Sequence, residues 1–123
     1  PCGLGHMMGL DVHDMENLGE MYVGYNGKPK STQFGRKSLR LGRELEPGFV
    51  LTIEPGIYFI PELMDLWKKE NKFTEFLNYD KLFTYKDFGG IRNEEDYLIT
   101  ADGARLLGKK LPLRAEEVEA AKA

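Results

Sequence analysis

The chain has 123 residues, of which 41% are hydrophobic and 30% charged, a balance typical of a globular domain rather than a disordered or collagen-like chain. With 17 basic and 20 acidic residues, its net charge of −3 gives no electrostatic reason to expect a nucleic acid partner. No stretch approaches the roughly 18 apolar residues of a membrane span, and the single cysteine excludes an intrachain disulfide. These properties predict one domain, with neither nucleic acid nor membrane as a partner, and they are compatible with a reducing, cytoplasmic setting.

The first half of the chain predicts an extended segment, a loop, a strand and a helix. Glycines at positions 3, 5 and 9 suit an extended segment, and the Gly- and Lys-rich residues 16–37 are typical of a loop. A Pro-Gly turn precedes the apolar run FVLTI (49–53), which predicts a strand. Residues 61–72 (PELMDLWKKENK) begin with Pro and place apolar side chains at helical spacing, so we predict a short amphipathic helix.

The second half continues this mixture of helices and strands. Residues 73–90 (FTEFLNYDKLFTYKDFGG) are compatible with helix or loop. Residues 91–100 (IRNEEDYLIT) predict one strand. DGARLL (102–107) predicts a turn followed by apolar residues that close the core. The final RAEEVEAAKA (114–123) predicts a polar helix with early Glu residues and a late Lys.

The chain's only two histidines, His6 and His13, lie seven positions apart in CGLGHMMGLDVHD (2–14). A histidine among apolar neighbours is more often a hydrogen-bonded core or surface group than a catalytic one. A functional interpretation therefore needs support from other segments.

Two carboxylates provide that support. Glu54 directly follows the apolar run FVLTI, where burial of an unpaired charge costs several kcal/mol, so a partner is expected unless the strand ends there and the side chain meets water or an Arg. In IRNEEDYLIT, strand alternation places Arg92 and Glu94 on one face, although an exposed edge with ordinary salt bridges is the alternative. One His and two Glu on separate segments are ligand types that suit manganese, zinc or cobalt.

Three motifs in order, GLGHMMGLDVHD, SLRLGRELEPGFVLTIEPGIY and FGGIRNEEDYLIT, resemble the C-terminal half of the catalytic domain of the pita-bread metallopeptidases. The resemblance is specifically to the prolidase and aminopeptidase P branch and covers most of residues 2–107. It implies that residues 1–123 have an α+β fold, the C-terminal portion of a pita-bread fold, which is mostly antiparallel sheet with short helices. A missing N-terminal half would complete that domain.

The resemblance implies three metal ligands. In that family two Asp, one His and two Glu hold two divalent ions, commonly manganese, and the motifs assign His6, Glu54 and Glu94 to the last three places. The family's two Asp ligands belong to motifs upstream of the segment present here, and no Asp of this chain stands in such a context. The chain is therefore expected to be a fragment that is inactive alone.

The resemblance also implies residues that act on substrate. His13 would face the substrate and stabilise or protonate the reacting amide, and Arg92 would anchor the metal-site carboxylates or the substrate end. Arg40 would bind the free carboxylate of a dipeptide, with a solvated loop cation as the alternative. Cys2 stands where the family usually has a histidine that helps to shape the substrate pocket.

These features imply a dinuclear metallopeptidase that hydrolyses Xaa-Pro bonds with a metal-activated water. The stretch from the Pro55-Gly56 turn to Ile91 resembles the prolidase insertion, which favours an Xaa-Pro dipeptidase. The alternatives are an Xaa-Pro aminopeptidase acting on longer peptides and a non-catalytic module that binds peptides or proteins. Retention of His6, Glu54 and Glu94 favours the enzyme, while Cys2 favours the module. We also expect a homodimer, or self-association through exposed apolar surface.

Overall fold

A computed structural model describes residues 3–14 and 18–122 of the chain. The described part contains short helices and short strands, and every strand pair is antiparallel. This confirms the predicted α+β class. The elements in chain order are α1 (Glu20–Val23), β1 (Val50–Ile53), β2 (Gly56–Tyr58), α2 (Pro61–Lys69), α3 (Tyr79–Phe83), β3 (Gly90–Arg92), β4 (Glu95–Ile99), β5 (Ala104–Leu106) and α4 (Ala115–Lys122).

Internal contacts divide the chain into two compact units. The first unit contains the described residues up to Pro55 and those from Asn93 onwards, and the second is Gly56–Arg92. The expectation that residues 1–123 form one partial catalytic domain stays a prediction.

The first unit is organised around β1. Its sheet has the strand order β1-β4-β5, with Ile53 of β1 opposite Glu95 of β4. Leu51 and Thr52 of β1 are almost fully buried. Because neighbouring residues of a strand point to opposite faces, burial of both means that β1 is covered on both faces. The predicted strand FVLTI is thus confirmed as the centre of this unit.

The glycine-rich N-terminal segment runs antiparallel along the free edge of β1. Met7 forms a bridge with Leu51, and the Met8 N–H donates to the Val50 carbonyl at 2.9 Å. The approach is closest at Gly5, where an added Cβ would lie 1.9 Å from the Thr52 carbonyl oxygen. The predicted extended segment is confirmed for residues 4–8, whereas the chain bends at residues 9–13. Glycine is required at position 5 because no side chain fits there.

The predicted loop over residues 16–37 is wrong at α1. Glu20–Val23 forms one helical turn, and the Val23 N–H donates to the Gly19 carbonyl at 3.0 Å. Glu20 also pairs with Lys30 at 2.9 Å. The sequence did not predict this helical turn because the glycines on either side of it lower helix propensity, although glycine suits helix ends.

The second unit consists of a two-stranded sheet, β2-β3, and the helices α2 and α3, which contact each other. Pro61 begins α2 because its fixed φ suits the first helical turn, and the predicted helix is confirmed but ends at Lys69 rather than at residue 72. The Asn78 side chain caps α3 by accepting the Lys81 N–H at 3.0 Å. Residues 73–90, compatible with helix or loop by sequence, therefore include a short capped helix.

The prediction of one strand over residues 91–100 is wrong. The structure has two strands there, β3 and β4, in different sheets and separated at Asn93 and Glu94. The Asn93 N–H donates to the Pro55 carbonyl at 3.2 Å. Proline has no N–H to return this bond, so a regular ladder is interrupted at that point.

The predicted C-terminal helix is confirmed as α4. The carboxylate of Glu117 accepts the N–H groups of Leu113 and Arg114 at 3.0 and 3.2 Å. These two backbone bonds stabilise the charged form and hold the pKa of Glu117 below its usual value. No helix in the described ranges is long and apolar enough to cross a membrane.

The close approach at Gly5 leads to a stability prediction. We expect Gly5→Ala to lower the free energy of unfolding of the first unit by about 2–3 kcal/mol, because the new methyl group forces the N-terminal segment away from β1. Urea denaturation measures this change. Gly103→Ala is the matched control in the same unit, since a Cβ there meets nothing within 4 Å, and we expect a change within about 0.5 kcal/mol. Equal effects of the two substitutions would contradict the prediction.

Candidate functional site

His6 lies in the N-terminal segment directly opposite Thr52 of β1. The backbone N–H of His6 donates to the Thr52 hydroxyl at 3.0 Å, and the backbone N–H of Thr52 donates to the His6 carbonyl at 2.9 Å. Only 5% of His6 is exposed. Main-chain pairing therefore places this imidazole with little freedom to move.

The imidazole of His6 points its Nε2 atom at Glu54. Nδ1 lies 3.0 Å from the Met7 carbonyl oxygen, and a carbonyl only accepts, so Nδ1 carries a hydrogen. Nε2 lies 3.2 Å from Glu54 Oε1, which also accepts the Thr52 hydroxyl at 3.1 Å. A neutral imidazole and a carboxylate would thus face each other with lone pairs. A proton on Nε2 or a cation shared by both groups stabilises this arrangement.

This arrangement fits a metal site in part. An Nδ1–H donated to a backbone carbonyl is the usual support of a histidine that binds metal through Nε2. Donor atoms that share one ion at about 2.1 Å each lie about 3 Å apart when they are at neighbouring coordination positions, and the Nε2 to Oε1 distance is 3.2 Å. Within residues 3–14 and 18–122, however, no three His, Cys, Asp or Glu side chains are grouped closely enough to hold a metal.

The register of β1 and β4 determines where Glu94 lies along the backbone. Ile53 pairs with Glu95, and the Asn93 N–H bonds to the Pro55 carbonyl. Glu54 and Glu94 are the single residues between these two contacts on their respective segments, so they lie opposite each other. Residues directly opposite in an antiparallel pair share a face. The structure thus brings His6 and Glu54 into contact and places Glu94 next to Glu54 by register, with its residue exposed.

His13 lies beside His6. The two rings meet edge to face, with centroids 4.2 Å apart and planes at 80°. The Asp14 N–H, next along the chain, donates to the Met7 carbonyl at 3.1 Å, which folds the DVHD segment back towards His6. The spacing of seven residues between the histidines therefore corresponds to a turn that brings them together.

Arg40 shares a small pocket with both histidines. The pocket has a volume of about 10 Å³, room for one water molecule, and Met7, Asp14 and Glu20 complete its lining. Arg40 is half-buried in this acidic surrounding. The assignment of Arg40 to the substrate carboxylate stays a prediction.

Arg92 is exposed in β3 of the second unit, where it pairs with Gly56. Cys2 lies outside the described residues. The assignments of Arg92 to the catalytic group and of Cys2 to the substrate pocket stay predictions.

Sequence reasoning missed Thr52, which contacts both His6 and Glu54 and is 1% exposed. The signal was present, since Thr52 lies two residues before Glu54 and so on the same face of the strand. On the other face of the sheet, the Tyr97 hydroxyl donates to Glu95 at 2.9 Å, and this bond to a carboxylate raises the pKa of Tyr97.

Comparison with known proteins identifies the family of this chain. Residues 1–101 match the model of metallopeptidase family M24. The chain belongs to metallopeptidase family M24. Within the family it is similar to Xaa-Pro dipeptidases, with 44% identity to that of Rattus norvegicus and 43% to that of Homo sapiens, each over 98% of this chain. A bacterial Xaa-Pro dipeptidase, from Glaesserella parasuis, is 41% identical over 89% of the chain.

The match to these M24 relatives covers only part of each of them. The chain spans 23% of the rat and human proteins and 24% of the bacterial one, about a quarter of their length. The resemblance to the prolidase branch of the pita-bread metallopeptidases is confirmed at the level of the family.

Thr52 leads to a prediction about this site. We expect Thr52→Val to lower the free energy of unfolding by about 1–3 kcal/mol, because the buried His6 N–H loses its acceptor and Glu54 loses a donor. Thr52→Ser is the matched control, since it keeps the hydroxyl, and its loss should be clearly smaller. Urea unfolding of the three proteins measures the difference. If the Val and Ser variants were equally unstable, the hydroxyl would not be the stabilising group.

Proposed function

We propose that the protein carrying this chain is a metal-dependent peptidase that hydrolyses Xaa-Pro dipeptides. The observation that supports this most directly is the buried contact between His6 and Glu54, beside His13 and Arg40, in a member of family M24. The resemblance to proteins named Xaa-Pro dipeptidase supports the choice of substrate.

His6, Glu54 and Glu94 are the residues of this chain that would hold two divalent metal ions. The facing acceptors on His6 and Glu54 favour a cation between them, and the register adds Glu94 next to Glu54. Metal ions at such a site polarise the scissile carbonyl and activate a water molecule. Manganese is our first choice, with zinc and cobalt as alternatives that suit the same donors.

His13 would act on the reacting amide. Its ring lies against the imidazole of His6 and lines the same small pocket, so a substrate that binds beside His6 would approach it. A histidine at that position can donate a proton to the amide nitrogen or a hydrogen bond to the developing oxyanion.

Arg40 would bind the free carboxylate of the dipeptide. It is half-buried in the pocket that His6 and His13 also line, and a guanidinium can hold a carboxylate through two parallel hydrogen bonds. Arg92 would anchor metal-site carboxylates or the substrate end, and Cys2 would help to shape the substrate pocket. This assignment of Arg40 makes a dipeptide the favoured substrate over the longer peptides of an Xaa-Pro aminopeptidase.

The proposal also includes a cellular location and an oligomeric state. A cytoplasmic location is consistent with the single cysteine, which in a reducing compartment needs no partner. Homodimer formation or self-association is supported by large apolar side chains that are strongly exposed in this chain, among them Leu10, Leu18 and Phe76.

The site implies that the 123-residue chain alone does not catalyse the reaction. With excess manganese, we expect its hydrolysis of Gly-Pro to equal that of its own His6→Ala variant, because the three ligands of this chain lack the two Asp of the family's set. The full natural polypeptide that contains the chain should hydrolyse Gly-Pro and lose activity in His6→Ala. A colorimetric assay of released proline measures both. Full activity of the chain alone would contradict the interpretation that the site needs metal ligands beyond the three in this chain. An inactive full polypeptide would contradict the proposed function.

Arg40 predicts how the full polypeptide discriminates substrate length. We expect Arg40→Ala to lower kcat/KM for Gly-Pro about tenfold or more, since the carboxylate loses a charged partner, and to change hydrolysis of a longer Gly-Pro-containing peptide much less. Arg36→Ala is the control, because Arg36 is an exposed cation of the same loop. Equal losses on both substrates would rule out carboxylate binding by Arg40.

A further inference from the structure

The backbone around Arg40 is held by three consecutive residues at the C-terminal end of α1. Val23, Gly24 and Tyr25, here called the 23–25 clamp, each bond to the segment 39–43. The Tyr25 hydroxyl donates to the Leu39 carbonyl, and the Gly42 N–H donates to the Gly24 carbonyl at 2.8 Å. The Arg43 guanidinium approaches the Val23 carbonyl at 3.4 Å. Arg40 lies between these contacts.

The packing between the clamp and this segment is too close for additional atoms. A Cβ at Gly24 would lie 1.9 Å from the carbonyl oxygen of Arg40 itself, and a Cβ at Gly42 would lie 2.5 Å from the Tyr25 ring. Gly24 is buried and Tyr25 is only 6% exposed. The main chain on both sides of Arg40 is therefore fixed by contacts, and only the side chain extends towards the pocket.

The ring of Tyr25 is linked to the same pocket through Lys30 and Glu20. The Lys30 ammonium lies 5.5 Å from the centre of the Tyr25 ring and pairs with Glu20 at 2.9 Å. Glu20 lines the pocket together with Arg40. Tyr25 thus contacts Leu39, which precedes Arg40, and Lys30, which pairs with Glu20, although Tyr25 itself is not part of the pocket lining.

We propose that Tyr25 is a positioning residue for Arg40 and so determines recognition of the substrate carboxylate. This inference rests on the proposed function, since it assigns the support of the proposed carboxylate-binding side chain. The hydroxyl of Tyr25 holds the Leu39 carbonyl, which fixes the peptide that precedes Arg40. Loss of that bond allows the guanidinium to leave its position, and a displacement of about 1 Å is enough to weaken a directional contact strongly.

The test compares two tyrosines in the full natural polypeptide. Tyr25→Phe removes only the hydroxyl, and Tyr79→Phe is the matched control, because Tyr79 is 8% exposed and its hydroxyl also donates to a backbone carbonyl, that of Lys72 in the second unit. With arginine labelled by ¹⁵N, the Arg40 Nε–H signal, assigned with Arg40→Lys, should shift or broaden in Tyr25→Phe and stay unchanged in Tyr79→Phe. An unchanged Arg40 signal in Tyr25→Phe overturns the proposal whether or not the protein is a peptidase.

Kinetics then test the consequence for recognition. We expect Tyr25→Phe to raise KM for Gly-Pro and the inhibition constant of free proline about tenfold, with kcat changed less than twofold and inhibition by prolinamide, which lacks the carboxylate, unchanged. A merely structural role would lower kcat and weaken both inhibitors alike, and that result overturns the proposal. Failure of the wild-type protein to hydrolyse Gly-Pro would refute the proposed function, and the Arg40 signal would still decide whether Tyr25 positions Arg40.

Discussion

The candidate site depends on the pairing of the N-terminal segment with β1. This pairing makes β1 a central strand, and it sets His6 opposite Thr52, whose hydroxyl accepts the His6 N–H and donates to Glu54. The pairing is possible because Gly5 has no side chain at the point of closest approach. A structural contact between two backbones thus determines the distance between two ionisable groups.

The electrostatic character of the site follows from that distance. The Met7 carbonyl accepts from Nδ1, so the Nε2 atom of His6 and the carboxylate of Glu54 face each other as acceptors at 3.2 Å when the imidazole is neutral. Two acceptors in a buried place repel each other unless a proton or a cation lies with them. The site therefore favours positive charge, which is consistent with the proposed role of His6 and Glu54 as metal ligands in a member of metallopeptidase family M24.

The substrate side of the site is organised by loops rather than by the sheet. His13 reaches His6 because the chain turns back after Met7, and Arg40 reaches the same pocket because Tyr25 and the two close glycine contacts hold the segment around it. Loops supported by buried contacts of this kind can carry specificity while a sheet carries the reactive groups. The proposed division is that β1 and its neighbours hold metal and that these loops select the substrate.

The sequence by itself determined the α+β class, the strand FVLTI, two of the four helices of the described chain and the resemblance to the prolidase branch. These follow from local periodicity, from Pro and Gly signals, and from motifs in which residue type and order carry the chemistry. Only the tertiary structure decided that residues 91–100 form two strands, because the interruption depends on the missing N–H of Pro55 on a distant segment. It also decided that Thr52 joins His6 to Glu54 and that Tyr25 bonds to the Leu39 carbonyl before Arg40, since such contacts depend on register and loop packing between segments that local patterns cannot relate.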